Sequence, residues 1–510
     1  MAASPFSDGS PMASQWPIPP QHYFDYELLI PNDTAGTYFY HSHVGMQSLS
    51  AAGALIVQDH YKPPYEYDDE RAIVLQELYN WTDVQLEHRV LADPLLSFDD
   101  PIGFLVNGKT VTNHGVVDNS STALELIEVN PGETYRFRFL AATALAYASF
   151  AFESHEDLKI IEADAHYTQP LSKNLIQMGS GERISVLLKT KSCDELRKIG
   201  RLDYYFQIES RERPVISTSY ALLRYRNTCN ISEDSTQRLP KNSYPLNRPI
   251  NIPPTINGFL DYQLQPLVPN NFPKASEVTR RIILNNQIIE DGFFIWRDAN
   301  VSWSEAVIPA RPFTTPVEPY LVSLYKNQTA YLPDWNTAII NGGVDPSTQT
   351  FPAKIGEVIE IVLQNLGGIS KHNVTPGMID VHPWHAHGGH YYDLGSGPGA
   401  WSSEVMEAQL QGTRPVLRDT TMLYRYNRTS QPNAKSGWRA WRLRVDNPGV
   451  WMVHCHATQH MVMGMQTVWV FGDANDVLKV PKPEVEGFLN FGGNVYGNKT
   501  HAPEVIHFKE

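Results

Sequence analysis

Short runs of alternating apolar and polar residues, separated by Gly, Pro and Asn turns, recur along most of this chain. In residues 134–140, three aromatic side chains alternate with Arg136 and Arg138, as in a half-buried strand. Further strand-like runs are 124–129, 184–188, 204–208 and 358–363, and 72–75 and 282–284 are candidates for buried strands. Long stretches with helical periodicity are scarce. The pattern predicts an all-β protein built from sandwiches or barrels.

Two motifs occur twice in distant parts of the chain, which suggests duplicated β-domains. Residues 36–43 match residues 449–456, since each segment has Gly, four mostly apolar residues and then His-x-His. Residues 130–133 and 354–357 form the second pair, and each is followed by a strand-like run. Proline-rich stretches near 62–64 and 239–273 are suitable linkers. We therefore divide the chain into units 1–65, 66–270 and 271–510.

The amino-acid composition limits the classes of protein and the kinds of partner that fit this chain. The 510 residues are 42% hydrophobic, which is enough for several domains with sizeable cores. The net charge of -14 argues against nucleic acid as a partner, because phosphate binding needs a basic surface. The longest uncharged apolar runs, such as 51–57, are too short to span a bilayer. We expect neither a nucleic-acid partner nor a membrane span.

Nine Asn-x-Ser/Thr sequons together suggest an exported glycoprotein. They begin at Asn32, Asn80, Asn119, Asn230, Asn300, Asn327, Asn373, Asn427 and Asn498. The first twenty residues contain neither the basic nor the apolar region of a signal peptide. In an exported protein Cys193 and Cys229 could form a disulfide, and two unpaired thiols are the alternative.

Eight of the eighteen histidines fall in three tight clusters, and the last cluster also contains a cysteine. The clusters are His41-Ser-His43, His382-Pro-Trp-His385-Ala-His387 and His454-Cys455-His456-x-x-x-His460, and Met465 follows the last of them. One thiolate, several imidazoles and a weak thioether suit copper that cycles between Cu(I) and Cu(II). Zinc is the competing metal, but zinc sites seldom gather so many histidines around one cysteine. The clusters therefore predict a copper protein.

The spacing within these clusters divides the ligands into two sites. Cys455, His460 and Met465 have the spacing of a loop wrapped around one metal ion, and His382 can supply the second histidine. On a strand, the neighbours of Cys455 point to the opposite face, so they can bind other metal ions. Electrons then have a short bonded path between the two sites. The histidines left for a multinuclear site are His41, His43, His385, His387, His454 and His456.

These motifs resemble those of the multicopper oxidases, the family of laccases, ascorbate oxidases and ferroxidases, over nearly the whole chain. The likeness to fungal enzymes of pigment and secondary-metabolite pathways rests on residues 6–11, 14–20, 41–45 and 460–469. The resemblance implies three cupredoxin domains, each a small Greek-key β-barrel, the first of them truncated. It also implies four copper ions. The type 1 copper would be bound by His382, Cys455 and His460, with Met465 axial. The type 2 copper would be bound by His385, and the type 3 pair by His387, His41, His43, His454 and His456.

The resemblance also implies roles for three acidic residues. Asp8 stands where the family places a carboxylate that helps to deliver protons to dioxygen, and a turn residue before Gly9 is the alternative. Glu162 and Asp164 stand where related enzymes place a carboxylate beside the substrate, which could accept a phenol proton. Two solvated strand acids are the alternative for that pair.

The sequence departs from the family pattern in three places. The family has a His-Trp-His-Gly motif that would fall just before Met1, so one type 2 and one type 3 ligand are expected to be missing, through an incomplete N terminus or a short isoform. Thr458 replaces an acid that often follows the His-Cys-His segment, which puts a second proton relay in doubt. Trp16 replaces a laccase cysteine, which favours a laccase-like branch over true laccases.

The resemblance implies a secreted or cell-wall-associated oxidase that couples one-electron oxidation of small phenols to reduction of dioxygen to water. An axial Met465 should lower the type 1 potential and so favour electron-rich phenols such as naphthols. Ferroxidase and ascorbate oxidase are rival activities, although a ferroxidase needs more acids than Glu162 and Asp164. A catalytically inactive type 1 copper-binding protein is the alternative from another class. The sequence does not indicate an oligomeric state.

Overall fold

A computed structural model of the chain describes residues 5–18, 24, 26, 28, 30–32, 34–92, 96, 100–112, 123–232, 238–256, 264–305, 318–374, 376–427 and 430–478. Strands predominate in this part, which confirms the predicted all-β class. The helices are short: α1 (Asp83–Leu91), α2 (Cys193–Ile199), α3 (Tyr320–Lys326), α4 (Gln328–Tyr331), α5 (Trp335–Ile340), α6 (Ser403–Gln409), α7 (Thr458–Val462) and α8 (Ala474–Val477). None of these described helices is long and apolar enough to cross a membrane.

The middle of the chain forms two facing sheets. Its strands are β3 (Asp69–Leu78), β4 (Gly103–Val106), β5 (Leu126–Val129), β6 (Thr134–Ala141), β7 (Tyr147–Phe152), β8 (Leu158–Ala163), β9 (His166–Lys173), β10 (Ile176–Met178), β11 (Arg183–Lys189), β12 (Asp203–Arg211) and β13 (Thr218–Tyr225). One sheet has the order β4-β3-β6-β11-β8-β9 and the other β10-β7-β12-β13-β5. Phe139 of β6 packs against Phe150 and Phe206 of the second sheet, with ring centroids 4.6 and 5.9 Å apart. This aromatic core holds the two sheets together.

The last part of the chain is a second pair of sheets. Its strands are β14 (Arg280–Glu290), β15 (Phe294–Asp298), β16 (Thr350–Ala353), β17 (Val358–Leu366), β18 (Ile369–Ser370), β19 (His382–Ala386), β20 (Tyr391–Pro398), β21 (Leu417–Arg418), β22 (Thr420–Leu423), β23 (Lys435–Arg444), β24 (Gly449–Cys455) and β25 (Gln466–Phe471). One sheet has the order β15-β14-β17-β23-β20-β21, with β18 beside β14. The other has the order β16-β25-β24-β19-β22, and it carries four of the ten predicted metal ligands, namely His382, His385, His454 and Cys455.

A two-stranded hairpin precedes both units and joins them. It consists of β1 (Gly36–His41) and β2 (Ala52–Val57), which pair antiparallel. The backbone N–H of Thr37 in β1 donates to the carboxylate of Glu162 in the middle unit, at 2.7 Å. Beyond β1, the buried side chains of Met46 and Leu49 enter the same apolar core as Cys455. The hairpin therefore brings its histidines to the junction of the two larger units.

The predicted strand-like runs all fall on observed strands, but one face was assigned wrongly. Arg136 and Arg138 of β6 were expected on the exposed side of a half-buried strand, and both are fully buried. Their guanidinium groups pair with Glu162 and Glu70, at 2.5 and 2.9 Å, underneath the hairpin. The hairpin thus covers the face of β6 that the alternation of residues predicts to be exposed. The divisions at residues 65 and 270 fall between β2 and β3 and between β13 and β14, and they stay a prediction.

Cys193 and Cys229 form a disulfide, which resolves the alternative left open by the sequence. The bond closes a loop with a sequence separation of 36 between α2 and the segment after β13. Replacing both cysteines with serine is expected to lower the free energy of unfolding by about 3 to 4 kcal/mol, because the unfolded chain regains the entropy of that loop. Urea denaturation of the variant and the parent measures the difference. Equal stabilities in the non-reduced state would contradict this prediction.

Candidate metal centre

Cys455, His382 and His460 converge on one point in the core of the last unit. The Sγ atom of Cys455 lies 3.7 Å from Nδ1 of His382 and 3.6 Å from Nδ1 of His460. The two Nδ1 atoms are 3.1 Å apart, and all three side chains are buried. Such a set of one sulfur and two imidazole nitrogens suits copper that changes its oxidation state. We call these three residues the thiolate site.

Burial keeps the groups of the thiolate site uncharged as long as no metal ion is bound. Burial raises the pKa of the Cys455 thiol well above its usual value, and burial also lowers the pKa of His382 well below its own. Without a metal ion these groups are therefore neutral, whereas a cation bound among them stabilises the thiolate. The Trp296 ring packs 4.5 Å from the His382 ring, and Met465 is completely buried in the same core. The site is thus shielded from water.

Six other histidines surround a second space, and we call them the histidine cage: His41, His43, His385, His387, His454 and His456. In one half, Nε2 of His454 lies 3.3 Å from Nε2 of His43 and 3.1 Å from Nε2 of His387. In the other half, the ring of His456 has its centroid 4.9 Å from that of His41 and 5.4 Å from that of His385.

The Nδ1 atoms of five cage histidines are occupied by the protein. Their partners are Ser42 O for His41, Asp419 O and Thr420 Oγ1 for His385, Asp8 for His387, Cys455 O for His454 and Ser180 Oγ for His456. A histidine whose one ring nitrogen is held in this way presents the other nitrogen to a metal ion. Five imidazoles therefore have Nε2 available as a ligand. The sixth, His43, already directs its Nε2 toward that of His454.

Strand alternation explains why one segment supplies both sites. In β24, Trp451, Val453 and Cys455 face the core, and His454 faces the opposite side, where the cage lies. In the neighbouring strand β19, Trp384 pairs with Cys455 and His385 pairs with His454. Two adjacent strands with a period of two therefore separate the thiolate site from the histidine cage by the thickness of one sheet.

Asp8 lies beside the cage. Its Oδ2 atom accepts a hydrogen bond from Nδ1 of His387 at 2.9 Å, and the Ser10 hydroxyl donates to the same oxygen at 2.6 Å. Burial alone would raise the pKa of Asp8, but His387 and Ser10 outweigh it and hold the pKa below its ordinary value. A charged carboxylate therefore orients the His387 ring.

Replacing Asp8 with asparagine is expected to reduce oxygen uptake about 10- to 100-fold, because His387, a predicted copper ligand, loses its charged partner. The visible absorption of the thiolate site should stay unchanged, since the described contacts of Asp8 include none with that site. Oxygen-electrode rates and absorption spectra of the copper-loaded variant check both expectations. Ser10→Ala is the matched control, because it removes a hydrogen bond to the same carboxylate but keeps the charge. Undiminished uptake in the asparagine variant would contradict the expectation.

The structure corrects the expectation for Glu162 and Asp164. Neither carboxylate is more than 1% exposed, so no substrate can reach them. Glu162 is bound by Arg136, and although burial raises its pKa, the neighbouring arginines outweigh this effect and keep the pKa below its usual value. Asp164 accepts from Nε of Arg418 at 2.6 Å. Both acids are parts of buried ion pairs at the junction of the units, and they are neither substrate bases nor solvated strand residues.

Three further residues at the sites were not found from the sequence. Asp380 has its Oδ2 atom 3.5 Å from Nε2 of His460, on the side away from the thiolate. The carboxylate of Asp419 lies 3.7 Å from Nδ1 of His385 and is held by Arg183. Asp380 stands two residues before a predicted ligand, which was a usable signal. Asp419 and Arg183 become neighbours only through tertiary packing, so no local motif marks them.

A thiolate site joined by one strand to a cage of histidines, within a fold of paired β-sheets, defines a copper-dependent oxidoreductase. Sequence models of one family, described as multicopper oxidase, match residues 1–62, 69–228 and 313–475. The chain belongs to the multicopper oxidase family. Copper is therefore its cofactor, and the convergent sulfur and nitrogen donors fit that metal.

Two fungal proteins and one solved structure are similar to this chain. Laccase-like multicopper oxidase 1 of Thermothelomyces thermophilus is 40% identical over 99% of this chain and 82% of its own length. Multicopper oxidase terE of Aspergillus terreus is 41% identical over 99% of this chain and 96% of its own length. The structure of the laccase from Botrytis aclada has a TM-score of 0.66 at 18% identity, covering 99% of this chain and 82% of that one, so the fold is shared.

Proposed function

We propose that the chain oxidises electron-rich phenols one electron at a time and transfers the electrons to dioxygen, which becomes water. In this proposal His382, Cys455 and His460 would hold the type 1 copper, with Met465 as a further, weak ligand. His385 would hold the type 2 copper, and His387, His41, His43, His454 and His456 would hold the type 3 pair. The three domains proposed for this function are residues 1–65, 66–270 and 271–510.

The observation that carries the proposal is the covalent link between the two sites. Cys455 belongs to the thiolate site, and His454 and His456, its neighbours in the chain, belong to the cage. The carbonyl oxygen of Cys455 also accepts from Nδ1 of His454 at 3.0 Å, which adds a second short connection. Bound copper would supply the one-electron redox chemistry and the reaction with dioxygen. The polypeptide supplies a fixed path between the place of oxidation and the place of reduction.

One carboxylate lies beside a candidate ligand at each end of this path. Asp380 lies beside His460 at the thiolate site, and Arg425 lies 3.8 Å from the carboxylate. We propose that Asp380 orients the His460 ring. Asp8 beside His387 would deliver protons to the cage, where oxygen reduction consumes them.

The choice of phenols over other reductants rests on similarity and on Met465. One relative and one solved structure with the same fold carry the word laccase in their names. An axial thioether lowers the potential of a blue copper site relative to an apolar residue, so it favours substrates that give up electrons readily. Naphthols and related precursors of fungal pigments fit this description, and oxidative coupling of their radicals would give dimers or polymers.

Steady-state rates of oxygen uptake test the substrate class. The copper-loaded enzyme is supplied with a naphthol, with ascorbate and with Fe(II), each at saturating concentration under air. The proposal requires the highest kcat/KM with the naphthol, and one mole of dioxygen consumed for every four electrons released. Ascorbate or Fe(II) as the preferred reductant would overturn the phenol assignment and favour the rival activities within the family.

A type 1 copper protein without oxidase activity is the second candidate. Within the residues that the structure describes, only His43, His387 and His454 of the cage form a group of three convergent ligands. His41, His385 and His456 do not converge in this way. Copper analysis separates the candidates, because about four copper ions per chain support the oxidase and about one supports the second candidate.

We also propose that the protein is a secreted or cell-wall-associated glycoprotein. Seven of the nine sequon asparagines lie in the described residues, and all seven are exposed: Asn32, Asn80, Asn230, Asn300, Asn327, Asn373 and Asn427. Asn119 and Asn498 lie outside that part. Exposure is what an oligosaccharide requires of its attachment site. Enzymatic removal of N-linked sugars from the secreted protein should lower its mass, and an unchanged mass would count against the proposal.

A further inference from the structure

Arg183, at the start of β11, is a buried arginine whose guanidinium group links its own segment to β1, to Asp419 and to Asp164, whose Oδ1 lies 3.3 Å from NH1. Its NH1 and NH2 groups donate to the two carboxylate oxygens of Asp419, at 2.5 and 2.6 Å. Its Nε donates to the carbonyl oxygen of Thr37 at 3.1 Å, and NH1 also donates to that of Gly181 at 3.0 Å. The side chain is 3% exposed, so these contacts replace water almost completely.

Three of the segments linked by Arg183, its own included, each carry or contact one histidine of the cage. Thr37 lies on β1, four residues before His41. Asp419 accepts through its backbone oxygen from Nδ1 of His385 at 3.0 Å. Gly181 faces His456, since a Cβ atom at position 181 would lie 2.7 Å from Cδ2 of that ring.

These histidines are His41, His385 and His456, which make up one half of the cage. The other half has a different support, because His387 is held by Asp8. The described contacts of Arg183 include none with His43, His387, His454 or the thiolate site. The two halves of the cage are therefore aligned by different charged groups, one from the N-terminal segment and one from the middle unit.

We infer that Arg183 is a positioning residue that sets the geometry of His41, His385 and His456 and so controls how firmly that half of the cage holds copper. The inference rests on the proposed function, in which the cage binds copper. A planar guanidinium group can hold a carboxylate through two bonds and still donate to two carbonyl groups. A lysine keeps the charge but offers no such fork, so the three segments would lose their common alignment.

Arg183→Lys in the full chain tests the inference. The copper-loaded variant and its parent are titrated with a copper chelator, while copper per chain, the visible thiolate band and the type 2 electron paramagnetic resonance signal are recorded. We expect the variant to lose cage copper at about 10- to 100-fold lower chelator concentration, as is typical when a partner of a ligating group is removed. The thiolate band should be retained at the parent's intensity. Asp419→Asn, which removes the charge that Arg183 binds, should give the same selective loss.

Arg211→Lys is the matched control. Arg211 is equally buried in the middle unit, and it pairs with Glu209 and donates to the carbonyl oxygen of Pro253 at 2.7 Å, without any described contact to the cage. It should lower thermal stability without selective loss of cage copper. If Arg183→Lys holds cage copper as firmly as the parent, or loses the thiolate band in parallel, the inference is overturned while the proposed function stands. A parent protein with no copper in the cage would overturn both.

Discussion

Replacing Cys455 with serine is expected to abolish the intense visible absorption of the copper-loaded protein and to reduce phenol-dependent oxygen uptake to background. The band arises from charge transfer between a thiolate and copper, and a serine hydroxyl is neither soft nor ionised at neutral pH. The same substitution removes the sulfur from the path that connects the thiolate site to His454 and His456. The absorption band and the electron path both depend on the sulfur atom of Cys455, so both should be lost completely.

The measurement combines an absorption spectrum, copper analysis and an oxygen electrode. Met465→Leu is the matched control, because Met465 is buried in the same core but is only the proposed axial ligand. That variant should keep the visible band and should have a higher reduction potential. A serine variant that retained either the band or substantial oxygen uptake would refute the assignment of Cys455, and with it the proposed type 1 site.

Replacing His454 with alanine is expected to give a protein that is still blue but does not consume oxygen. The Nε2 atom of His454 lies within 3.3 Å of those of both His43 and His387, so its loss removes the shared member of the group. Because His454 projects to the opposite face of β24 from Cys455, the thiolate site should keep its ligands. This variant should therefore oxidise the substrate at the thiolate site without reducing dioxygen at the histidine cage.

Rapid mixing with a naphthol in the absence of oxygen should therefore still bleach the blue band of this variant. On admission of air the band should not return, whereas it should return in the parent. His88→Ala on α1 is the control, since this exposed histidine lies outside both sites and its loss should change neither step. Normal reoxidation of the His454 variant would show that the cage does not need this ligand.

The convergence of the candidate ligands from β19 and β24 was predictable because they lie in compact motifs on two paired strands. The period of two in β24 is enough to assign Cys455 to one face and His454 to the other, and the structure shows both placements. The β class was equally predictable, because β6 and its neighbours alternate clearly. The disulfide could not be decided, since its formation depends on a fold that brings α2 to the end of β13.

The acidic residues were harder to assign, because the role of a carboxylate depends on what covers it. Glu162 alternates like an exposed strand residue, yet the hairpin covers it and Arg136 neutralises it. Asp419 acquires its importance from the pairing of β19 with β22, in which His385 lies opposite Thr420. Such contacts join residues that are far apart in the chain, and the pattern of a single segment does not contain them.

The arrangement of ligands on β24 makes both metal sites depend on the length of this strand. An insertion of one residue before His454 would move every following side chain of the strand to the other face of the sheet. The sulfur of Cys455 would then lie on the face of the histidine cage. Both sites would then lose ligands at once, so we expect the strand to tolerate no change in its length. Variation among homologous proteins is accordingly expected to spare the length of this strand, and to concentrate insertions and deletions in the loops that lead to it.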